Sequence, residues 1–174
     1  MPDAQPAPSA PPAPVPSSRP ALPSVALDGG SWTAGIVRQQ RPTAGVALLN
    51  AVRAARHEEL DRVVFEFQGT AISGYHIEYI DKPVRRCGSG DVALLEGDGW
   101  LAVTFEPAAA HDEAGHALLT AREQRPGLPI VREIELTCDF EAQVTIVLGV
   151  ASPNRFRVTE LASPPRLVID VRHR

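Results

Sequence analysis

The segment His111-Asp112-Glu113-Ala114-Gly115-His116 sets two imidazoles and two carboxylates within six residues. Such groups can ligate a metal ion or pass a proton. Their spacing weighs against a metal helix. Zinc proteases use histidines four apart, which share one helix face; these are five apart, with Gly115 between, and would lie about 140° from each other on a helix. The plainer reading is a polar loop whose Asp112 and Glu113 cap a helix beginning near Ala114. Metal binding by His111–His116 stands as the alternative.

A second candidate is Tyr75-His76-Ile77-Glu78-Tyr79. Tyr75, Ile77 and Tyr79 share one face of a strand and His76 and Glu78 the other, so the stretch is either half core and half solvated or a polar, aromatic binding face. Candidate contact residues are Tyr75, His76, Tyr79, His111, Asp112 and Arg132. No nucleophile elbow and no phosphate-cradling loop stands out, because Gly88-Ser89-Gly90-Asp91-Val92 lacks a strand-to-helix setting. Gly97-Asp98-Gly99 is too short for a calcium loop. No catalytic residue, cofactor or resident metal is expected.

Cys87 and Cys138 are the only cysteines. Two thiolates fall short of a four-ligand zinc site. From the residues alone, a disulfide and a pair of small buried thiols are both open. Net charge is −4 with the signs interspersed and aromatics at 5 %, which disfavours nucleic acid, since phosphate neutralisation needs clustered cations. No apolar run approaches the roughly 18–20 residues that span a bilayer.

The elements that must position these groups read as strands. In Ile130–Val150, Ile130, Ile134, Leu136 and Cys138 alternate with Glu133, Glu135 and Thr137; Val144, Ile146, Leu148 and Val150 alternate with Thr145, Val147 and Gly149. The pattern is a hairpin turning at Asp139–Ala142, each arm with one apolar face. Arg62–Phe67, Tyr75–Ile80, Val92–Leu95, Trp100–Phe105, Phe156–Leu161 and Arg166–Val171 read as further strands, with Gln68–Gly74 a hairpin-length loop. Val46–Ala55 is ambiguous, helical by propensity and only modestly alternating. Pro107–Pro129 has no strand alternation and is long for a bare connection, with a short helix expected over Ala114–Arg122. The expectation is an all-β protein, a small β-sandwich of two sheets with eight or nine short strands.

Nine of the seventeen prolines lie within Pro2–Pro23. Residues 1–41 therefore read as a disordered Pro/Ala/Ser-rich tether, with the folded domain at 46–174. Trp32 reads either as an anchor docking the tail or as an exposed aromatic for a partner. Met1 is followed by Pro-Asp-Ala-Gln, neither a charged start nor an apolar core. The protein is thus expected to be either cytosolic or exported with its signal omitted from this start, and the tether favours the second.

The order of Asp61–Phe67, Gly74–Tyr79, Ala110–Glu113, Leu128–Glu133, Asp139–Glu141 and Pro165–His173 resembles the AMIN-like domain family, envelope domains akin to the amidase N-terminal domain. The resemblance implies a two-sheet β-sandwich and a strand at Val46–Ala55. It also implies a non-enzymatic extracytoplasmic module, secreted or membrane-anchored, that contacts peptidoglycan or another envelope component. An adaptor that pairs with an envelope protein through an edge strand is the alternative. No catalytic domain follows within the chain. In an exported protein, a Cys87–Cys138 disulfide is the expectation.

Overall fold

A computed structural model describes residues 30–42 and 45–174. The expected tether lies outside the described residues over 1–29. Residues 30–41, expected as its end, instead dock on the domain.

Eleven strands follow in order: β1 (Val37–Gln39), β2 (Ala47–Arg56), β3 (Leu60–Phe67), β4 (Gly74–Ile80), β5 (Gly99–Glu106), β6 (Ala108–Ala109), β7 (Glu123–Gln124), β8 (Val131–Phe140), β9 (Gln143–Val150), β10 (Phe156–Ala162) and β11 (Pro165–Arg172). They form a six-stranded sheet, β1-β4-β5-β9-β8-β7, and a five-stranded sheet, β10-β11-β3-β2-β6. The expected β-sandwich is therefore present. The strands beyond the eight or nine expected are β1, β6 and β7, only two or three residues long, too short to show a period.

Val46–Ala55 resolves as strand β2, against its propensity, because Leu49 and Val52 bury on the sandwich interior. β3 and β4 belong to different sheets, so Gln68–Ser73 is a crossing between layers and not a hairpin loop. The crossing lets apolar faces meet: Phe105 of β5 packs on Phe65 and Phe67 of β3, ring centroids 5.3 and 5.0 Å apart. Val103, Leu101, Ile146, Leu148, Leu167 and Ile169 fill the rest, all at most 1 % exposed.

The second face of the large sheet corrects the alternation reading. Glu133, Glu135 and Thr137 are buried, not solvated. They hold an excursion between β4 and β5, residues 81–98. Glu133 accepts the Glu96 amide at 2.7 Å, Glu135 pairs with Arg86, and the Thr137 carbonyl accepts the Cys87 amide at 3.1 Å. Val84, Ala93 and Leu95 of the excursion bury against Ala102 and Val147. Gly149 makes the close approach possible: a Cβ there would lie 2.1 Å from the Glu96 carbonyl oxygen. Val92–Leu95, expected as a strand, makes only one bridge, Arg85 with Val92; Ala93 and Leu95 pack inward while Val92 and Leu94 stay exposed.

Cys138 joins that face through a bulge. Leu136 pairs with Ile146 but Cys138 pairs with Thr145, so the extra residue turns Cys138 away from Leu136 and toward the excursion. There it is disulfide-bonded to Cys87, with Cα atoms 5.1 Å apart. Trp32 resolves as an anchor. Thr33 bridges to Phe156, and the guanidiniums of Arg157 and Arg172 stand 4.7 and 4.5 Å from the Trp32 ring centroid.

Candidate functional site

The chemistry-bearing residues fall in four places. His111 and Asp112 sit on the loop after β6. Asp112 Oδ1 accepts the amides of Ala114 and His116 at 2.9 and 2.8 Å, and Oδ2 lies 3.0 Å from His116 Nδ1. These bonds hold the Asp112 carboxyl below its usual range, the His116 amide first among the causes. His111 Nδ1 is instead 2.8 Å from Asp139 Oδ2. The two imidazoles are thus bonded to different carboxylates. Among the described residues no group of three or more His, Cys, Asp or Glu side chains is placed to hold a metal ion. The expected helix at Ala114–Arg122 does not form. Gly115 has a φ of +84°, and the Leu118 amide bonds back to the Ala110 carbonyl at 2.8 Å, so a compact turn replaces it.

Arg132 is the unpaired, exposed residue of a bulge between Val131 and Glu133. It lies at the opposite end of β8 from Asp139, about 20 Å along the strand, and does not join the other candidates.

Tyr79 belongs to the core. Its ring packs edge-on to Phe156 at 5.9 Å and its hydroxyl donates to the Asn154 carbonyl at 2.6 Å. Tyr75 forms a latch between the sheets. Its hydroxyl donates to Glu160 Oε1 on β10 at 2.9 Å, and Arg41 donates to both oxygens of Glu160 at 2.8 Å. Burial, then Glu160, pushes the Tyr75 hydroxyl up to about 12, and burial raises Tyr79 as well.

Tyr75 and Tyr79 are the chain's two tyrosines, which makes these shifts measurable. Folding favours the protonated phenols. Their contribution to stability is complete below the ordinary tyrosine value near 10 and is lost as pH rises through the folded values. At about pH 10.5 the folded protein is expected to show almost no tyrosinate absorbance, against about three quarters of the full signal in denaturant. A native half-point near pH 10 would contradict the latch.

Tyr75 and His76 also line a cleft of about 490 Å³ with Arg38–Pro42, Gly74, Thr104, Glu106 and Pro107. β1 builds its wall by pairing with β4, Arg38 opposite His76. Gly74 lets the walls converge, since a Cβ there would lie 2.8 Å from the Glu106 carbonyl oxygen and 3.0 Å from the Arg41 amide. His76 continues across the sheet to Thr104 and then Thr145, and the two threonine hydroxyls are 3.0 Å apart. His76 Nε2 is 3.0 Å from Glu78 Oε1. Arg38 has no ion-pair partner among the described residues. The cleft thus offers one free cation, an imidazole, hydroxyls, the Gln40 amide and the Glu106 carboxylate. Among the described residues no serine or threonine hydroxyl bonds to a histidine.

Arg38, Gln40, Thr104 and Glu106 were not legible as site residues in the sequence. β1 is three residues long and finds its partner some forty residues away, beyond the reach of any local pattern.

Comparison with curated proteins and comparison with solved structures each find no match. The family model described as AMIN-like domain matches residues 47–173, from β2 to the histidine that follows β11, and the chain belongs to the AMIN-like domain family.

Proposed function

We propose that this protein is a non-enzymatic, extracytoplasmic binding module of the cell envelope that contacts peptidoglycan through the cleft between β1, β4 and β5. The observation that carries the reading is membership of the AMIN-like family, a family tied to envelope and peptidoglycan binding rather than to catalysis. The cleft supports it: a polar, partly open groove with a free guanidinium suits a ligand rich in hydroxyls, amides and carboxylates. The Cys87–Cys138 bond accords with an oxidising compartment. Residues 1–29 would serve as the tether, and secretion or lipid anchoring would deliver the domain.

The cleft takes over from the loop as the site. Of the residues first singled out, Tyr75 and His76 border it, while Tyr79, His111, Asp112 and Arg132 lie outside its lining.

Co-sedimentation of the full chain with purified sacculi at low and high salt tests this. The wild type is expected to pellet at both. An Arg38→Ala/His76→Ala variant should lose about tenfold in affinity, or 1.4 kcal/mol, and His116→Ala, whose imidazole meets only Asp112, should behave as wild type. Absence of wild-type pelleting would remove the reading. It would leave an envelope protein partner, for which one feature speaks: beyond Val158, which accepts the Gly30 amide, the outer edge of β10 has no strand partner among the described residues.

A further inference from the structure

We infer that the binding surface continues out of the cleft across the large sheet to Phe140, and that its occupant is a glycan strand lying across the β-strands rather than a peptide stem. This rests on the wall-binding reading above and specifies its ligand.

The outward face of the large sheet is divided. Toward the Ile80 end of β4 the excursion covers it, with Leu95 and Ala93 buried on Ala102 and Val147. Toward the Gly74 end nothing described covers it, and the side chains change character. The register places Arg38, His76, Thr104 and Thr145 in one row over β1, β4, β5 and β9. Gln143 flanks the row and donates to Thr145 Oγ1 at 3.4 Å. Directly across the hairpin from Gln143 is Phe140, which leaves the same face and is 59 % exposed.

An exposed phenylalanine beside a polar row is not required by the fold, yet its position is fixed. The β8–β9 turn is two residues long, with Glu141 and Ala142 at φ 50° and 60°, the left-handed conformation of a tight hairpin. Ala142 accepts the Ala108 amide at 2.8 Å. Asp139 accepts the Ala110 amide at 3.0 Å and lies 2.8 Å from His111 Nδ1. The loop that first looked like a metal site therefore braces the tip that carries Phe140.

A flat apolar ring held rigid next to hydroxyl, amide and imidazole groups matches a pyranose, whose C–H face stacks on the ring while its rim hydroxyls and acetamido groups hydrogen-bond. The row crosses four strand spacings from β1 to β8, about 19 Å, which suits an extended polymer. Arg38 at the far end complements the carboxylates that such a strand bears once its peptides are removed. A peptide stem would instead seek unpaired main-chain groups, and strands β4, β5 and β9 are paired on both sides.

The test titrates the full chain, by calorimetry, with peptide-free glycan strands and separately with free peptide stems. Expected are binding to the strands and none to the stems, at least tenfold weaker strand binding in Phe140→Ala, recovery in Phe140→Trp, and an unchanged melting temperature for both variants. Stem binding without strand binding would overturn the inference. So would full affinity in Phe140→Ala while Arg38→Ala loses binding, a result that keeps the cleft and sinks only its extension. Sacculus binding with no binding to free strands would also overturn it and leave the broader reading standing; loss of sacculus binding altogether would remove both.

Discussion

Replacing Asp170 with alanine is expected to lower stability by about 3–5 kcal/mol, because it strands the buried guanidinium of Arg157 and the half-buried one of Arg62. Asp170 is 1 % exposed. On adjacent strands the register sets Arg157 and Arg62 on either side of it. Arg62 reaches its two oxygens at 2.7 and 2.9 Å, and Arg157 Nε lies 2.9 Å from Oδ2. The hydrogen bond to Asp170 is the main cause that raises Arg62 above its usual value. Trp32, stacked on Arg157, roofs the row. Denaturant unfolding of Asp170→Ala measures the loss. The expected cause is the unpaired charge, not the lost attraction, so an Arg62→Met/Arg157→Leu/Asp170→Leu variant should recover most of it. A single variant within about 1 kcal/mol of wild type would show that water reaches the row and that the burial argument is wrong.

Removing the disulfide is the second large effect. Cys87→Ala/Cys138→Ala opens a loop with a sequence separation of 51, which the chain-entropy relation values at about 4 kcal/mol. The corresponding fall in melting temperature is about 10–20 °C. The excursion remains tied by Glu133 to the Glu96 amide and by Glu135 to Arg86, so the domain should still fold and keep its sheets. Amide exchange should rise first at Ala93, whose N–H bonds to Val84 within the excursion. A stability loss below about 1 kcal/mol would mean that the two glutamates alone hold the excursion in place and that the unfolded chain gains little freedom.

Alternation showed the sandwich clearly where strands are long and one-sided, as in β3, whose buried positions are Asp61, Val63, Phe65 and Phe67. The same alternation misled at β8. Glu133, Glu135 and Thr137 read as a solvated face because a period of two reports which residues share a side, not what covers that side. The cover is an excursion with no regular structure of its own. Cys138 was assigned to the wrong face because a bulge inserts one residue and flips everything beyond it. The pieces that carried the family resemblance prove to be anchors of the fold. Asp61 is fully buried and accepts the Ile130 and Val131 amides at 2.6 and 2.9 Å, with His173 Nε2 at 2.9 Å. Asp139 and Asp170 have similar duties. A signature of this kind identifies the architecture and says little about the ligand. The cleft was illegible for the complementary reason: its wall, β1, is made by pairing between distant segments.

The most direct measurement is an amide chemical-shift map of the full, isotope-labelled chain titrated with soluble peptidoglycan fragments. Binding at the cleft predicts shifts at residues 37–41, 74–78, 104 and 106. It predicts none at Arg132 or at Glu58 and Glu59. Shifts confined to Arg132 or to the 111–117 loop, or no shifts at fragment concentrations in the millimolar range typical of weak single-site contacts, would contradict the assignment of the cleft as the wall-binding site.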